Sequence, residues 1–239
     1  MKIIKLDEVS STNNYLKENY QSLDNCQIVT TSFQTKGKGR ITRSWESNKS
    51  ENILLSILVK DLKERSNFET ITLFTGCIVH KFLSKYLNNH LIKWPNDILV
   101  NKKKICGILV EGISYSNSLK ALIIGIGINI NQISFSEEIN NLTTSLKKEL
   151  NKNFNIDELI NELSILLIEE LNKYLNNDDT YLTYLRENLF GLNQIIEFEK
   201  DHYIYSGKIL DIDEDGCLAI EVDNKVIHLR SGEIKIKRN

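Results

Sequence analysis

Residues 34–45 combine glycine and positive charge in a way that suits the binding of an anion. The segment reads QTKGKGRITRSW, so two glycines lie among four cationic side chains before a tryptophan. Glycine lets backbone N–H groups approach an anion closely, and lysine and arginine balance phosphate or carboxylate charge. The spacing is not that of a P-loop, which needs GxxxxGK[ST]. We predict an anion-binding loop here; an ordinary solvated turn is the alternative.

A lysine at position 93 stands in an apolar setting. It opens the segment KWPND, residues 93–97, which follows Leu91-Ile92 and precedes Ile98-Leu99-Val100. A cation in such a place must be paired or must face a polar cavity, because an unpaired buried charge is costly. Lys93 is therefore a candidate contact for an anionic ligand. The alternative is an ordinary structural lysine.

Two further segments carry glycine inside predicted strands. They read GILVE at residues 107–111 and GIGIN at residues 125–129. Glycine within a strand loses packing and often marks the close approach of a ligand or of another backbone. Gly125 and Gly127 are two residues apart, so both lie on the same face of the sheet. We expect a close approach at that face, with plain packing glycines as the alternative.

Apolar periodicity predicts the elements that position these segments. Helical spacing predicts helices over residues 68–87 and 155–175, and the polar run 10–13 predicts the start of a short one. The turn Asn101-Lys102-Lys103-Lys104 is expected to join two strands as a hairpin. Apolar runs bounded by polar residues predict strands at residues 28–31, 53–59, 98–100, 105–110 and 119–130.

The chain changes character after Leu189. Short apolar runs follow one another, and the turn pairs Asp215-Gly216 and Asp223-Asn224 separate the later ones. This pattern predicts a small all-β module in the size range of an SH3-like barrel. The predicted fold class is α+β, with a mixed β-sheet backed by helices in residues 1–188 and a C-terminal SH3-like β-barrel in residues 189–239.

Charge, cysteine usage and hydropathy exclude several classes of protein. The net charge of −2 supplies no basic field for nucleic acid or an anionic membrane, so we expect neither as a partner. The four cysteines lie far apart without a CxxC pair, which argues against a disulfide scaffold and a zinc site. The charged N-terminus does not look like a signal peptide. We therefore expect a cytoplasmic protein.

Taken in chain order, these segments resemble the biotin protein ligase family. The shared features are Ser11-Thr12-Asn13, the basic loop ending in a tryptophan, KWPND, GILVE and GIGIN. The small β module follows them, as it does in that family. The resemblance implies that residues 1–188 are a class II synthetase-like ligase domain.

The resemblance also implies a reaction in two steps. The biotin carboxylate attacks the α-phosphate of Mg²⁺-bound ATP, which gives biotinyl-5′-AMP and pyrophosphate. A lysine of a biotin carboxyl carrier protein then attacks this mixed anhydride. Biotin and ATP are thus the implied substrates, Mg²⁺ the implied ion, and the carrier protein the implied partner; no protein metal ligand is assigned.

The family's site residues carry over by position. Lys93 and Arg40 match the catalytic pair, with Lys93 between the carboxylate and the α-phosphate. The positions that match the biotin site are Ser11, Thr12, Asn13, Gln34, Lys38, Gly39, Arg40 and Lys93. Those that match the nucleotide side are Arg43, Trp45 and Asn129, with Trp45 expected against adenine.

The basic loop departs from the usual family pattern GRGRxGR at two places. Lys38 keeps the charge of an arginine but lacks its planar fork. Thr42 stands where the family has glycine, which removes backbone freedom. Looser closure of the loop over its ligand is the expected consequence.

Three alternatives to a biotin ligase stay open on the sequence. A lipoate or octanoyl ligase-type relative shares this core and an equivalent lysine, although KWPND and the β module favour biotin. A biotin-sensing transcriptional regulator needs a DNA-reading domain, and the ligase-like pattern begins at Lys2, so a short form is expected. A catalytically silent binding protein is the third, against which the intact Lys93 and Arg40 speak. A homodimer is possible in each case.

Overall fold

The structure is a computed structural model that describes most of the chain. The described residues are 2–41, 43–62, 68–116, 118–200 and 202–231, together with the backbone of residues 235–236. Six helices are assigned within these ranges: α1 (Thr12–Asn19), α2 (Ile71–Leu83), α3 (Glu137–Asn140), α4 (Leu146–Leu150), α5 (Ile156–Leu175) and α6 (Tyr181–Glu187).

Twelve strands accompany these helices and form two sheets. The first seven are β1 (Ile3–Val9), β2 (Gln27–Gln34), β3 (Asn52–Val59), β4 (His90–Lys93), β5 (Asp97–Val100), β6 (Lys103–Tyr115) and β7 (Ser118–Asn129). The last five are β8 (Ile195–Lys200), β9 (Tyr203–Ile212), β10 (Leu218–Val222), β11 (Lys225–Leu229) and β12 (Lys235–Ile236).

The large sheet has the strand order β1-β2-β3-β7-β6-β5-β4. Only the β1–β2 pair is parallel; the other neighbours are antiparallel, so the sheet is mixed as predicted. All eight residues of β3 are buried, because α1 covers one face of the sheet and α2 and α5 lie on the other. This layering explains why residues 53–59 read as one apolar run.

The long helix α5 begins where its sequence indicates. The Oδ1 atom of Asn155 accepts hydrogen bonds from the backbone N–H groups of Asp157 and Glu158, at 3.1 and 3.4 Å. The two acidic residues also suit the positive end of the helix dipole. Near the other end of α5, the Tyr174 ring stacks on Phe74 of α2 with centroids 4.4 Å apart. The two helices thereby form one apolar layer behind the sheet.

The C-terminal module is an open sheet rather than the predicted closed barrel. Its strand order is β11-β10-β9-β8-β12, and within the described residues the two edge strands β11 and β12 are not paired with each other. Closure of a barrel needs that pairing. The predicted turn at Asp223-Asn224 is confirmed, since both residues have positive φ, as a tight two-residue hairpin requires.

The C-terminal module is held against the domain of the large sheet by a continuous apolar core and by polar contacts. The Nε1 atom of Trp94 donates to the backbone oxygen of Gly216 at 3.0 Å, and Arg186 Nε donates to Asp211 Oδ1 at 2.6 Å. Gly216 has φ +78°, which favours glycine. The C-terminal module therefore contacts the KWPND segment directly. The boundary between residues 188 and 189 stays a prediction.

A stacked pair of histidines links α2 to the strand that ends at Lys93. The rings of His80 and His90 stack with centroids 3.9 Å apart, and each Nε2 atom lies 3.0 Å from the other residue's backbone oxygen. Burial, and to a smaller degree His90, lowers the pKa of His80 to about 4. Burial lowers the pKa of His90 as well. The pair is therefore neutral in the folded protein at pH 7.

Within the part of the chain that the structure describes, no helix is both long and apolar enough to cross a membrane.

Acidification should destabilise the fold through His80. Its folded pKa of about 4 lies below the ordinary 6.5, so its contribution is present above pH 6.5 and is lost as the pH falls towards 4. We expect the free energy of unfolding to drop by about 2 kcal/mol between pH 7 and pH 5 on this account. Denaturant unfolding of wild type and His80→Gln should give a shallower pH dependence for the variant. His202→Gln, which changes an exposed histidine, is the control; parallel curves for wild type and His80→Gln would refute the assignment.

Candidate functional site

The predicted segments converge on one cavity of about 580 Å³. Residues 11–13, residues from the basic loop and residues 93–97 line its walls, and Gly107, Gly125 and Gly127 lie on its floor. The segments come together because β2 leads into the basic loop while β4 and β5 flank KWPND at the same side of the sheet. Of the predicted site residues, Asn129 alone does not line this cavity.

One end of the cavity carries a chain of polar side chains. The backbone N–H of Thr12 donates to Gln34 Oε1 at 2.9 Å, and Thr12 Oγ1 lies 2.6 Å from Ser56 Oγ. Ser56 Oγ donates to Asn13 Oδ1 at 2.6 Å. Ser11, Thr12 and Asn13 are each only 3% exposed in the protein alone. This end can therefore bind the polar groups of a small ligand with preset hydrogen-bonding partners.

The basic loop forms a tight hairpin across the cavity. Gly39 N–H donates to the Arg43 oxygen at 2.8 Å, and Trp45 N–H donates to the Gly37 oxygen at 3.0 Å. A Cβ on Gly37 would lie 2.3 Å from the Trp45 oxygen, so only glycine fits there. Lys38 Nζ donates to Asn14 Oδ1 at 2.6 Å. The departure at Thr42 lies outside the described residues.

The floor glycines make room for side chains of the protein itself. A Cβ on Gly127 would lie 2.5 Å from Trp45 Cε2, and one on its strand partner Gly107 would lie 2.8 Å from Trp45 Cζ3. A Cβ on Gly125 would lie 2.3 Å from Asn13 Oδ1. The predicted close approach at this face is thus real, and Trp45 and Asn13 are what approaches.

Arg40 links the basic hairpin to KWPND. Its Nη1 atom donates to Asn96 Oδ1 at 3.1 Å, and the amide of Asn96 donates to the Ile108 oxygen at 3.0 Å. Burial lowers the pKa of the half-buried Arg40 guanidinium, and nearby Asp97 opposes that shift. An arginine starts from so high a pKa that it stays charged. The charged Arg40 side chain therefore anchors the basic hairpin to Asn96 of the KWPND segment.

Lys93 ends β4 and lines the cavity with only 8% exposure. It lies opposite Asp97 in the β4–β5 ladder, and Asp97 Oδ1 forms an ion pair with Lys104 Nζ at 2.6 Å. Lys104 Nζ is also 5.5 Å from the centre of the Trp45 ring. The middle of the cavity is thus bordered by Lys93, Arg40 and Lys104, with Asp97 as the nearby counter-charge. Such a place suits a ligand with more than one negative charge.

The structure locates both the predicted turn at residues 101–104 and the predicted nucleotide-side residue Asn129. The predicted turn at residues 101–104 is wrong in extent: Asn101 and Lys102 make the turn with positive φ, and Lys104 already belongs to β6. Asn129 is buried at 2% exposure, and its Nδ2 atom donates to the Thr144 oxygen at 3.0 Å. Its Oδ1 atom is buried without a hydrogen-bond partner among the described residues.

The sequence analysis missed several cavity residues. Lys104 was assigned to a turn, and its spacing of three residues from Gly107 would place the two on opposite faces of a regular strand. An irregularity in the β5–β6 register brings the Lys104 side chain next to Gly107. Glu199, near the end of β8, and His202, which lies just before β9, reach the cavity from the C-terminal module. No local pattern could place them there, because that contact depends on how the module docks. Among the described residues, no three His, Cys, Asp or Glu side chains cluster as a metal site.

Comparison with known proteins identifies the family. The family model described as "Biotin/lipoate A/B protein ligase family" matches residues 6–129, more than half of the chain. The chain belongs to that family. A second model, "Biotin protein ligase C terminal domain", matches residues 191–236. The two matches together confirm the resemblance to biotin protein ligases that the motifs indicate.

Individual relatives agree with this assignment. "Bifunctional ligase/repressor BirA" of Bacillus subtilis is 27% identical over 213 residues, which are 87% of this chain and 66% of that protein. The chain thus spans just under two thirds of that relative's length. "Biotin--[acetyl-CoA-carboxylase] ligase" of Paracoccus denitrificans is 46% identical over 39 residues, 16% of each chain. The structure "Biotin protein ligase from Aquifex aeolicus in complex with biotin and ATP" is 27% identical, with a TM-score of 0.87 over 100% of this chain and 99% of that chain.

The position of Trp45 on the floor glycines can be tested by substitution. Gly127→Ala places a Cβ 2.5 Å from Trp45 Cε2, so the indole must move. The protein has two tryptophans and therefore two indole N–H signals in a proton–nitrogen correlation spectrum. We expect Gly127→Ala to shift the Trp45 signal, whereas Gly76→Ala, with its nearest contact at 3.5 Å, should leave it in place. An unmoved Trp45 signal in Gly127→Ala would contradict the packing described.

Proposed function

We propose that this protein is an ATP-dependent biotin protein ligase that forms biotinyl-5′-AMP and transfers the biotin to a lysine of a biotin carboxyl carrier protein. The observation that supports it best is the division of one cavity into two ends. One end offers preset hydrogen-bonding groups for a polar ring, and the other brings Lys93 and Arg40 together. Membership of the ligase family supports the same reading.

The first step joins two anions, and the cationic side chains lower their repulsion. An oxygen of the biotin carboxylate attacks the α-phosphorus of ATP, the bond from that phosphorus to the bridging oxygen breaks, and pyrophosphate leaves. Lys93, on the end of a strand, is the fixed cation between carboxylate and α-phosphate. A cation held in place before the reaction stabilises charge that develops at phosphorus without reorganising. ATP enters as its magnesium complex, with Mg²⁺ held chiefly by phosphate oxygens and water.

The basic hairpin covers the adenylate in this proposal. Lys38, Gly39 and Arg40 face the biotin carboxylate and the phosphate, and Arg40 can exchange its neutral partner Asn96 for an anionic oxygen. A charge-assisted hydrogen bond of that kind is the stronger one. The hairpin then stays over the anhydride and keeps water away until an amine arrives. This ordering on binding stays a prediction.

The nucleotide side is proposed to extend along β7 past the cavity. Arg43 lines the cavity and is exposed, so it can contact phosphate. The buried Oδ1 atom of Asn129 is an acceptor without a partner among the described residues, and the amino group of adenine could satisfy it. Trp45 forms the wall between these two points. Lys104 joins this group as a cation that the motifs did not single out.

The second step transfers biotin to the carrier. The amine of the acceptor lysine attacks the carbonyl carbon of biotinyl-5′-AMP, the bond to the phosphate oxygen breaks, and AMP leaves. The Paracoccus relative is named as a ligase for acetyl-CoA carboxylase, which supports a carboxylase carrier as the substrate. A cytoplasmic location, a homodimer and the lack of specific DNA binding stay predictions.

The transfer reaction is tested with purified components. We expect a biotin carrier domain of a carboxylase, incubated with this protein, biotin and MgATP, to gain one biotin on one lysine by mass spectrometry. A carrier with that lysine changed to arginine is the control and should gain none. Labelling by lipoate in place of biotin would instead support a lipoate ligase, and labelling by neither would contradict the proposal.

Lys93 should be required for adenylate formation. Lys93→Ala, and Lys93→Met with a similar side-chain length, should slow biotin-dependent adenylation by roughly 10²–10³-fold, the usual loss for one fixed electrostatic donor. Single-turnover formation of biotinyl-5′-AMP gives the rate. Lys103→Ala removes an exposed lysine from β6 and serves as the matched control. Rates within a few-fold of wild type for both Lys93 variants would remove Lys93 from this role.

A further inference from the structure

A chain of hydrogen bonds runs from the polar end of the cavity to a carboxylate outside it. Thr12 Oγ1 lies 2.6 Å from Ser56 Oγ, Ser56 Oγ donates to Asn13 Oδ1 at 2.6 Å, and Asn13 Nδ2 donates to Glu111 Oε2 at 2.8 Å. Thr12 and Asn13 line the cavity, whereas Ser56 is fully buried beneath them. Glu111 is half-buried on β6 and does not line the cavity. Its hydrogen bond with Asn13 connects it to the cavity.

The acceptors around Asn13 fix which way its amide points. Glu111 Oε2 and the Leu109 oxygen, at 3.3 Å, both lie on the Nδ2 side. A carboxylate and a carbonyl oxygen only accept, so the NH₂ group must face them and Oδ1 must face Ser56. Ser56 then donates its single hydroxyl proton to Asn13 Oδ1. The 2.6 Å contact between Thr12 and Ser56 therefore uses the proton of Thr12, which also lies within reach of Gln34 Oε1, 3.1 Å from Thr12 Oγ1.

This direction of the protons decides what the cavity offers to a ligand. Thr12 Oγ1 and Asn13 Oδ1 have no proton to give, so both face the cavity as acceptors. Gly125 makes room for Asn13 Oδ1, since a Cβ there would lie 2.3 Å from it, and both residues line the cavity. Gln34 Oε1 accepts from the Thr12 backbone at 2.9 Å, which turns its Nε2 outward as a donor. Two acceptors and one donor match a cyclic urea, with its two N–H groups and one carbonyl; a dithiolane ring has none of these.

We propose that Glu111 is a positioning residue that sets this donor–acceptor pattern and thereby the preference of the cavity for a cyclic urea. Without the carboxylate, only the longer contact to the Leu109 oxygen opposes rotation of the Asn13 amide. A rotated amide points a donor at Ser56, reverses the hydroxyl protons and offers donors where the ligand also has donors. The inference rests on the proposed function only in taking biotin as the ligand.

The test is calorimetric titration of the full chain with biotin in the absence of ATP. Glu111→Ala should weaken binding by about tenfold or more, the loss expected for a hydrogen bond to a charged group. The rate constant kcat of adenylation at saturating biotin, and the KM for ATP, should stay within about twofold, because Glu111 acts on the ring end alone. Glu221→Ala, which removes a half-buried strand glutamate of the C-terminal module, is the matched control.

An exchange of the two side chains distinguishes orientation from general stability. Asn13→Asp alone sets two carboxylates against each other and should bind biotin more weakly than Glu111→Ala. In the double variant Asn13→Asp/Glu111→Gln, the new amide donates to the new carboxylate, whose other oxygen still accepts from Ser56. Biotin affinity should therefore recover substantially over that of Asn13→Asp.

Three results would overturn the inference. Biotin bound by Glu111→Ala as tightly as by wild type contradicts it while leaving the proposed function intact. A double variant no better than Asn13→Asp does the same. Wild-type protein that binds lipoate and not biotin contradicts the proposed function, and the inference falls with it.

Discussion

The face of β6 and β7 beneath the cavity has no side chains at Gly107, Gly125 and Gly127, and two side chains from elsewhere lie against it. Trp45 covers Gly107 and Gly127, and Asn13 contacts Gly125. Trp45 ends the basic hairpin, so its packing against the sheet determines the position of Arg40 in the same hairpin. Asn13 lies in the first turn of α1, beside the polar end. These three glycines thus set the distance between the two ends of the cavity, because a side chain added at any of them displaces Trp45 or Asn13.

The charged side chains around these three glycines leave an excess of positive charge facing the cavity. Lys93, Lys104 and Arg40 border the cavity, and Asp97 is close to all of them through the β4–β5 hairpin, its ion pair with Lys104 and its influence on Arg40. In the partly buried site such charges interact more strongly than in water. An incoming carboxylate and triphosphate supply the missing negative charge. Lys93 and Lys104, which lie on strands, need not move for this, which is what preorganisation for adenylation requires.

Several elements and site residues could be predicted from the local pattern of apolar and polar residues, because that pattern reflects which side chains are buried. The apolar run in β3 and the Asn155 cap of α5 fixed their elements, and KWPND marked a lysine that had to face a cavity. Lys104 was not predicted as a site residue, because the run of three lysines at residues 102–104 shows no alternation of apolar and polar side chains. The edge strands β1 and β4 were missed because charged residues interrupt the apolar residues of β1 and because β4 has only four residues. Barrel closure, the contribution of His202 and the burial of Asn129 depend on docking between distant segments, which no window of sequence reports.

Adenylation of biotin is the central claim, and exchange of labelled pyrophosphate into ATP measures it most directly. The purified protein with MgATP should catalyse exchange when biotin is present, should show background exchange without it, and should not respond to lipoate. Exchange requires the adenylate to form reversibly at the cavity. One assay therefore tests both the binding of the biotin ring at the polar end and the action of Lys93 on the carboxylate and α-phosphate. Exchange supported by lipoate and not by biotin, or tight biotin binding without any exchange, would contradict the account.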